Sequence, residues 1–217
     1  MANPKFTIAI MDEEAKERNL FTNFFENDFN VVEIPFISSV DDLIEKIKSE
    51  NIDAIAIDYK LKEHSKKFKE NGDFFFKQLM ARLQDFPSFI LTQDAKTAKN
   101  ESKLIKPRFI IDKTILHTTK ASDIKTFKDD VRHEIKTYKA SLATKLKRLK
   151  ELQKIRKTKA FNDELENEFL NLNNEISQSI TGYKTLPLKY FSQETNKKLD
   201  EIIFKTDELI KKLSKKK

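Results

Sequence analysis

The chain has 217 residues, 38% of them hydrophobic, and 42 basic residues against 35 acidic ones give it a net charge of +7. That length allows one medium domain or two small ones. The lack of cysteine excludes disulfides, thiolate metal sites and cysteine nucleophiles, and no apolar run approaches the roughly 18 residues of a membrane span. Since the first residues also lack the pattern of a secretory signal, we expect a cytoplasmic protein outside the membrane.

Short apolar runs alternate with amphipathic stretches from residue 6 to about residue 117. The runs predict five strands, at residues 6–10, 29–34, 54–57, 89–91 and 109–111. Helices are predicted at residues 14–26 and around Phe74 to Leu83. Another is predicted to begin after Ser39, which would be its N-cap, with Asp42 three residues further on. Because nearly continuous apolar strands alternate with helices, we expect an α/β domain with a doubly wound, five-stranded parallel sheet.

Polar residues follow four of these strands where each one ends. Asp12 and Glu13 follow the first strand, Asp58 the third, Thr92 the fourth and Lys113 the fifth. The carboxyl ends of the strands of an open parallel sheet line one crevice, where ligands bind. Three carboxylates, a hydroxyl and an ammonium group there predict a site for a divalent cation and a phosphoryl group.

The period of the apolar residues changes near residue 118. Apolar residues recur at steps of three and four from Ile124 to Leu152 with no Pro or Gly between them, which predicts one helix of about 30 residues. A second such stretch, 161–180, ends at Gly182, a good C-cap residue, and a third covers 199–213. We therefore predict a domain at residues 1–118 and an all-α region at 119–217, a long helical hairpin or coiled coil with a short third helix.

Charge and packing support that division. Residues 1–117 carry 20 acidic and 18 basic residues, whereas residues 118–217 carry 15 and 24. A helix of about 30 residues with one narrow apolar stripe has to pack on its neighbour, a second copy or a partner. We expect a homodimer through residues 120–180.

The residues at the strand ends resemble the receiver domains of bacterial two-component response regulators, over about residues 5–117. The segment from Met11 to Arg18 is similar to the family's acidic pair followed by a helix with an arginine. Asp58 matches the phosphoacceptor aspartate, Thr92 the switch residue and Lys113 the lysine after the fifth strand. The resemblance implies the receiver fold, which is flavodoxin-like.

The resemblance also implies a chemistry. Asp58 would accept a phosphoryl group from the phosphohistidine of a histidine kinase or phosphotransfer protein, so that the chain is no enzyme beyond its own phosphorylation. Thr92 and Lys113 would contact phosphoryl oxygens, and helical output would pass the signal to a protein partner or a dimer. The implied cofactor is Mg²⁺, held by Asp12, Glu13, Asp58 and the backbone carbonyl of Lys60.

Three features differ from the family pattern. Thr114 stands where proline is usual, Ile110 stands at the aromatic switch position, and the loop 59–71 is longer than usual and rich in lysine. These differences leave open a second interpretation, a pseudo-receiver scaffold in which the coiled coil carries the function.

Two features of the helical region leave further alternatives. The segment from Phe127 to Thr137 resembles the phosphoacceptor-histidine box of sensor kinases. This resemblance implies a phosphorelay intermediate or phosphate sink that would use both His133 and Asp58. The alternative is that His133 is an ordinary residue on the flank of a coiled coil. Basic residues cluster between Lys145 and Lys159. No aromatic residue or recognition motif accompanies them, which disfavours nucleic acid as the partner.

Overall fold

The computed structural model describes residues 5–64, 67–101, 107–156 and 162–182. The predicted stretch at 199–213 lies outside these residues. The strands are β1 (Thr7–Met11), β2 (Asn30–Ile34), β3 (Ala54–Asp58), β4 (Ser88–Thr92) and β5 (Ile110–Asp112). The helices are α1 (Ala15–Phe25), α2 (Val40–Ser49), α3 (Leu61–His64), α4 (Gly72–Arg82), α5 (Ala95–Glu101), α6 (Ala121–Ile155) and α7 (Asp163–Thr181).

The five strands form one parallel sheet in the order β2-β1-β3-β4-β5. This order reverses direction at β1 and β3, as in a doubly wound, flavodoxin-like fold. All five residues of β3 and all five of β4 are buried, so both faces of these strands are covered by protein. The predicted fold class is therefore confirmed, and continuous burial explains why these strands are apolar throughout.

An apolar layer covers each face of the sheet. One layer contains Leu43 and Ile44 of α2 and Leu79 of α4. The other contains Phe21 and Phe25 of α1. Residues Phe127, Val131 and Ile135, from the first half of α6, complete this second layer. The first half of α6 is thus a structural part of the α/β domain.

Local signals explain where α2 begins. Ser39 is the N-cap, as predicted, and its Oγ accepts a hydrogen bond of 3.1 Å from the backbone N–H of Asp42. The Asp42 carboxylate lies three residues on and accepts a hydrogen bond of 2.8 Å from the Ser39 hydroxyl. The cap satisfies a backbone donor that the helix itself leaves free.

The predicted long helix is present as α6, which has 35 residues. The described residues divide into two compact units. The first contains the residues up to 141 together with 179–182, and the second contains residues 142–178. The division falls inside α6, whereas charge and apolar period change near residue 118. The apolar stripe of α6 accordingly belongs to two cores, since Leu149 and Leu152 pack with Phe169 and Leu170 in the second unit.

Ion pairs between α6 and α7 add to this second core. Arg148 donates two hydrogen bonds, of 2.6 and 2.7 Å, to the Glu168 carboxylate, and Lys145 lies 3.1 Å from Glu175. These two members of the basic cluster are thus paired within the hairpin. Among the described helices, none has the length and apolar character that a membrane crossing requires.

The last described residues, 179–182, pack in the first unit. Lys48 Nζ donates to the Thr181 carbonyl at 2.8 Å, and Arg82 Nε donates to the Gly182 carbonyl at 3.1 Å. Basic groups at the end of a helix stabilise carbonyls that lack partners inside it. Gly182 has a φ of 73°, and a Cβ there would lie 2.9 Å from Ile44 Cδ1, so this position requires glycine.

Candidate functional site

The sheet register brings three predicted residues to one edge. Met11 pairs with Ile57 in the register of β1 and β3, so Asp12 and Asp58 lie side by side just beyond these positions. Lys113 follows β5 at the same edge. Its Nζ lies 2.7 Å from Asp12 Oδ2 and 2.7 Å from Asp58 Oδ1. One buried ammonium group therefore joins two buried carboxylates.

Backbone donors fix the other oxygen of each carboxylate. The N–H of Glu14 donates to Asp12 Oδ1 at 2.9 Å, and the N–H of Lys60 donates to Asp58 Oδ2 at 2.7 Å. Arg18 also donates to the backbone carbonyl of Asp12 at 2.9 Å. The two carboxylates are thus oriented before any ligand arrives, which reduces the free energy needed to organise a site.

Two further carboxylates lie in this pocket. Glu13 is half-buried and Glu17 is 5% exposed, and the Oε2 atom of each is buried without a hydrogen-bond partner. Burial raises the pKa of Glu13 to about 7, and the negative charges of Asp12 and Asp58 add to that increase. Glu17 was not predicted as a site residue. No spacing rule marks it, because Glu13 lies before the N-cap Glu14 and so shares no helical face with Glu17.

Electrostatics keep the ammonium charged. Burial opposes the charge of Lys113, but the carboxylates of Asp58 and Asp12 outweigh this effect and raise the lysine pKa above its ordinary value. Once ionised, the four carboxylates exceed the single ammonium, so the pocket attracts further positive charge.

The pocket has the donor chemistry for Mg²⁺ but is not arranged around a metal ion. Among the described residues, no group of three or more acidic or histidine side chains is placed to hold one. The Lys113 ammonium instead lies between Asp12 and Asp58. Carboxylate oxygens are the ligands that Mg²⁺ prefers, and Glu13 Oε2 is without a hydrogen bond. The chemistry of these donors therefore suits the cation, whereas their present spacing is that of an ion-pair cluster around Lys113.

Thr92 lies at the same edge, buried at the end of β4. Its Oγ1 accepts a hydrogen bond of 3.3 Å from the N–H of Asp94, so the hydroxyl shapes its own loop. In the register, Thr92 follows Leu91, the partner of Asp58. The structure thus places Thr92 on the neighbouring strand, one residue beyond the register partner of Asp58.

The departures from the family pattern have local structural explanations. The N–H of Thr114 donates to Asp112 Oδ1 at 2.9 Å and starts the 3₁₀ turn Lys113–His117; proline has no N–H to make this bond. Ile110 is buried in the sheet core, and Phe109 packs against Phe76 with ring centroids 5.7 Å apart. Side-chain capping therefore fixes the lysine loop.

The long loop after Asp58 contains the short helix α3 and closes at Gly72. The N–H of Gly72 donates to the Tyr59 carbonyl at 2.9 Å. A Cβ at Gly72 would lie 1.8 Å from the Asp58 carbonyl oxygen, so only glycine fits beside the backbone of Asp58. The contact between Gly72 and Asp58 was not predicted from the sequence.

His133 lies at the other end of the sheet. It is exposed on α6 and lines a cavity of about 330 Å³ with Ala54 and Ser88, the first residues of β3 and β4. Asp58 is the last residue of β3, and five strand residues span about 13 Å. The structure therefore does not bring His133 to the acidic pocket.

The fold is a doubly wound, flavodoxin-like α/β domain whose last helix continues into a helical hairpin, and the acidic pocket lies at the carboxyl edge of its sheet. No family model matches the chain, and no curated protein sequence matches it. The solved structures that it resembles include an anti-anti-sigma factor, a response regulator receiver domain protein and a fusion with a yeast trimeric coiled-coil segment.

The likenesses are distant. The anti-anti-sigma factor PhyR from Bartonella quintana is 11% identical, with a TM-score of 0.45, over 65% of this chain and 51% of that one. A response regulator receiver domain protein from Clostridium thermocellum is 18% identical, with a TM-score of 0.43, over 62% and 98%. The coiled-coil fusion is 15% identical, with a TM-score of 0.47, over 66% and 83%. The fold assignment rests on strand order and register.

Proposed function

We propose that this chain is a receiver-like signalling protein in which Asp58 accepts a phosphoryl group in the presence of Mg²⁺. The observation that supports this proposal best is the ammonium of Lys113 held at 2.7 Å from both Asp12 and Asp58 at the carboxyl edge of a parallel sheet. Lysine, aspartate and a backbone donor there match what a carboxylate acceptor of phosphoryl groups requires.

In the proposed reaction, an Asp58 carboxylate oxygen attacks phosphorus of a phosphohistidine. The O–P bond forms and the P–N bond breaks, and the imidazole leaves neutral because its other ring nitrogen already carries a proton. When bound, Mg²⁺ neutralises the charge of the incoming phosphoryl group. Lys113 then donates to a phosphoryl oxygen and Thr92 to another, which changes the loops after β4 and β5.

The α6 helix offers a route for the output. Its residues 127–135 form part of the core beside the sheet, and its residues 149–152 form part of the hairpin core. We propose that loop changes alter the packing of the helix start, and that the hairpin presents the result to a protein partner or a second copy. The phosphoryl donor would be a histidine kinase or phosphotransfer protein.

The test is phosphorylation of the full chain with acetyl phosphate and Mg²⁺, measured by intact mass. We expect one phosphoryl group on the wild type and none on Asp58→Asn. Asp94→Asn is the matched control, because Asp94 is exposed at the same edge and asparagine can still accept from the Thr97 N–H that caps α5. An adduct that persists in Asp58→Asn would exclude Asp58 as the acceptor.

A pseudo-receiver scaffold is the second candidate. The observation that favours it is the Lys113 ammonium between the two aspartates, together with a hairpin that has its own core. A scaffold predicts no Mg²⁺-dependent adduct on the wild type. It also predicts that sedimentation shows the same oligomeric state for wild type and Asp58→Asn in beryllofluoride. A change of state only in the wild type would exclude it.

A further inference from the structure

Glu17 is a buried acid that the proposed chemistry does not use. It lies in the first turn of α1 with 5% of its surface exposed. Its Oε2 atom is buried and has no hydrogen bond. Burying a carboxylate oxygen without a hydrogen bond costs free energy, and a nearby positive charge reduces this cost.

The nearest such partner is Lys113. Its Nζ lies 3.7 Å from Glu17 Oε2, beyond hydrogen-bond distance, and 2.7 Å from an oxygen of Asp12 and one of Asp58. An ammonium group has three donors, and these two short contacts account for two of them. A shift of about 1 Å would bring Lys113 into hydrogen-bond distance of Glu17.

We propose that Glu17 is the alternative counter-ion that receives Lys113 when a divalent cation takes up oxygens of Asp12 and Asp58. The inference rests on the cation step of the proposed function. Lys113 then has two positions, one between the aspartates and one on Glu17. Glu17 is thus a positioning residue, which acts on the cation site through the lysine.

The physical reason is the energy of a buried charge. Without Glu17, the ammonium released by the aspartates would stay buried without a counter-ion, or would remain and compete with the cation. Glutamine at position 17 keeps the shape of the side chain but removes the charge. Divalent cations should therefore bind less tightly to Glu17→Gln.

The experiment measures Mg²⁺ binding to the full chain by calorimetry. We expect Glu17→Gln to weaken binding about tenfold, within the range of coupling between two sites. Glu14→Gln, which removes an exposed acid at the start of the same helix, should change it less than about twofold because exposed charges are screened. Equal affinities for wild type and Glu17→Gln would overturn the inference.

A second comparison separates positioning from direct attraction between Glu17 and the cation. In a Lys113→Met background, the effect of Glu17→Gln should fall below about twofold, because the residue that Glu17 positions is gone. A tenfold effect that persists in this background would show that Glu17 acts on the cation directly and would overturn the proposal.

Should Lys113→Met fail to fold, the lysine ammonium can be observed by ¹⁵N NMR in saturating Mg²⁺. We expect a Lys113 signal protected from exchange in the wild type and lost in Glu17→Gln; the same signal in both would overturn the inference. The two levels of the proposal remain distinguishable. Wild type that binds no Mg²⁺ overturns the cation step itself, whereas binding that is insensitive to Glu17→Gln overturns only the role of Glu17.

Discussion

Asp58 is held on three sides. The Lys60 N–H fixes one carboxylate oxygen, the Lys113 ammonium fixes the other, and Gly72 lies against its backbone carbonyl. Each contact comes from a different segment. The position of the carboxylate is therefore set by the packing of the domain, and the acceptor role proposed for it would need such a fixed orientation.

The contact at Gly72 gives a stability prediction. In Gly72→Ala the new Cβ would meet the Asp58 carbonyl oxygen at 1.8 Å, so backbone has to move. We expect a loss of about 2–3 kcal/mol in the free energy of unfolding, as for overpacking in a core. Asp73→Ala is the control, since it removes only the surface pair with Lys77 and should cost less than about 1 kcal/mol. Denaturant unfolding of both variants checks this, and equal stabilities would contradict it.

Much of the site could be predicted because its residues follow strands. Asp12, Asp58 and Thr92 come directly after continuous apolar runs, and such runs identify a strand and its end without tertiary information. Glu17 could not be predicted in this way. Its burial depends on how α1 rotates against the sheet, and its charge at a helix start is equally typical of a solvated first turn.

An acid in the turn after α1 pairs with two basic residues in the first half of α6. Asp28 accepts hydrogen bonds from Lys128 and Arg132, and the Lys128 Nζ also lies 5.2 Å from the centre of the Phe24 ring. The hydrogen bond from Lys128 is the main reason that the pKa of Asp28 lies below its usual range, and Arg132 adds to it. This cluster joins the turn after α1 to the helix that leads to the hairpin.

A pH dependence follows from Asp28. Because its folded-state pKa is lowered, the ion pairs stabilise the fold above the unfolded-state pKa of about 3.9, and this stability is lost as pH falls through the folded pKa. We expect Asp28→Asn to cost about 1 kcal/mol at pH 7, a value limited by solvent screening, and progressively less as the pH falls through the lowered folded-state pKa. Asp123→Asn, at an exposed pair with Lys120, should cost less at pH 7. A cost for Asp28→Asn that is independent of pH would contradict this.

The apolar side of α6 should matter more than its charges. The Phe127 ring lies 6.0, 5.8 and 6.0 Å from those of Phe24, Phe25 and Phe89. Phe127→Ala would leave a cavity beneath the helix and should cost about 3 kcal/mol in the free energy of unfolding. Lys125→Ala, two residues earlier and exposed, is expected to stay within about 0.5 kcal/mol of wild type. Thermal and denaturant unfolding measure both, and a small effect at Phe127 would show that α6 is not part of the core.

At the scale of the whole chain, one uninterrupted helix belongs to both compact units. Its apolar stripe was predicted from spacing, but the change of packing partner along it was not. The stripe from Ile124 to Leu152 has the same period on a sheet and on a helix, so the sequence does not show where one partner ends. The return of residues 179–182 to α2 and α4 was also not predictable, because Lys48 and Arg82 resemble any solvated cation.

This arrangement predicts a long-range response. Beryllofluoride with Mg²⁺ mimics the phosphoryl group and should change hydrogen exchange within residues 142–178 of the wild type. Because that response requires the acceptor, Asp58→Asn should show no change, while Asp94→Asn should behave as wild type. Changes confined to the loops after β3, β4 and β5 would mean that α6 does not transmit the signal. The expected dimer through residues 120–180 can be measured on the same samples by sedimentation.

The central claim, that Asp58 accepts the phosphoryl group, is tested most directly by chemical trapping. Borohydride reduces an aspartyl phosphate to homoserine, so treatment after incubation with acetyl phosphate and Mg²⁺ marks the residue that carried it. Peptide mass mapping should find homoserine at position 58 in the wild type, dependent on Mg²⁺. Homoserine at another aspartate, or none at position 58 in folded protein, would contradict the proposed function.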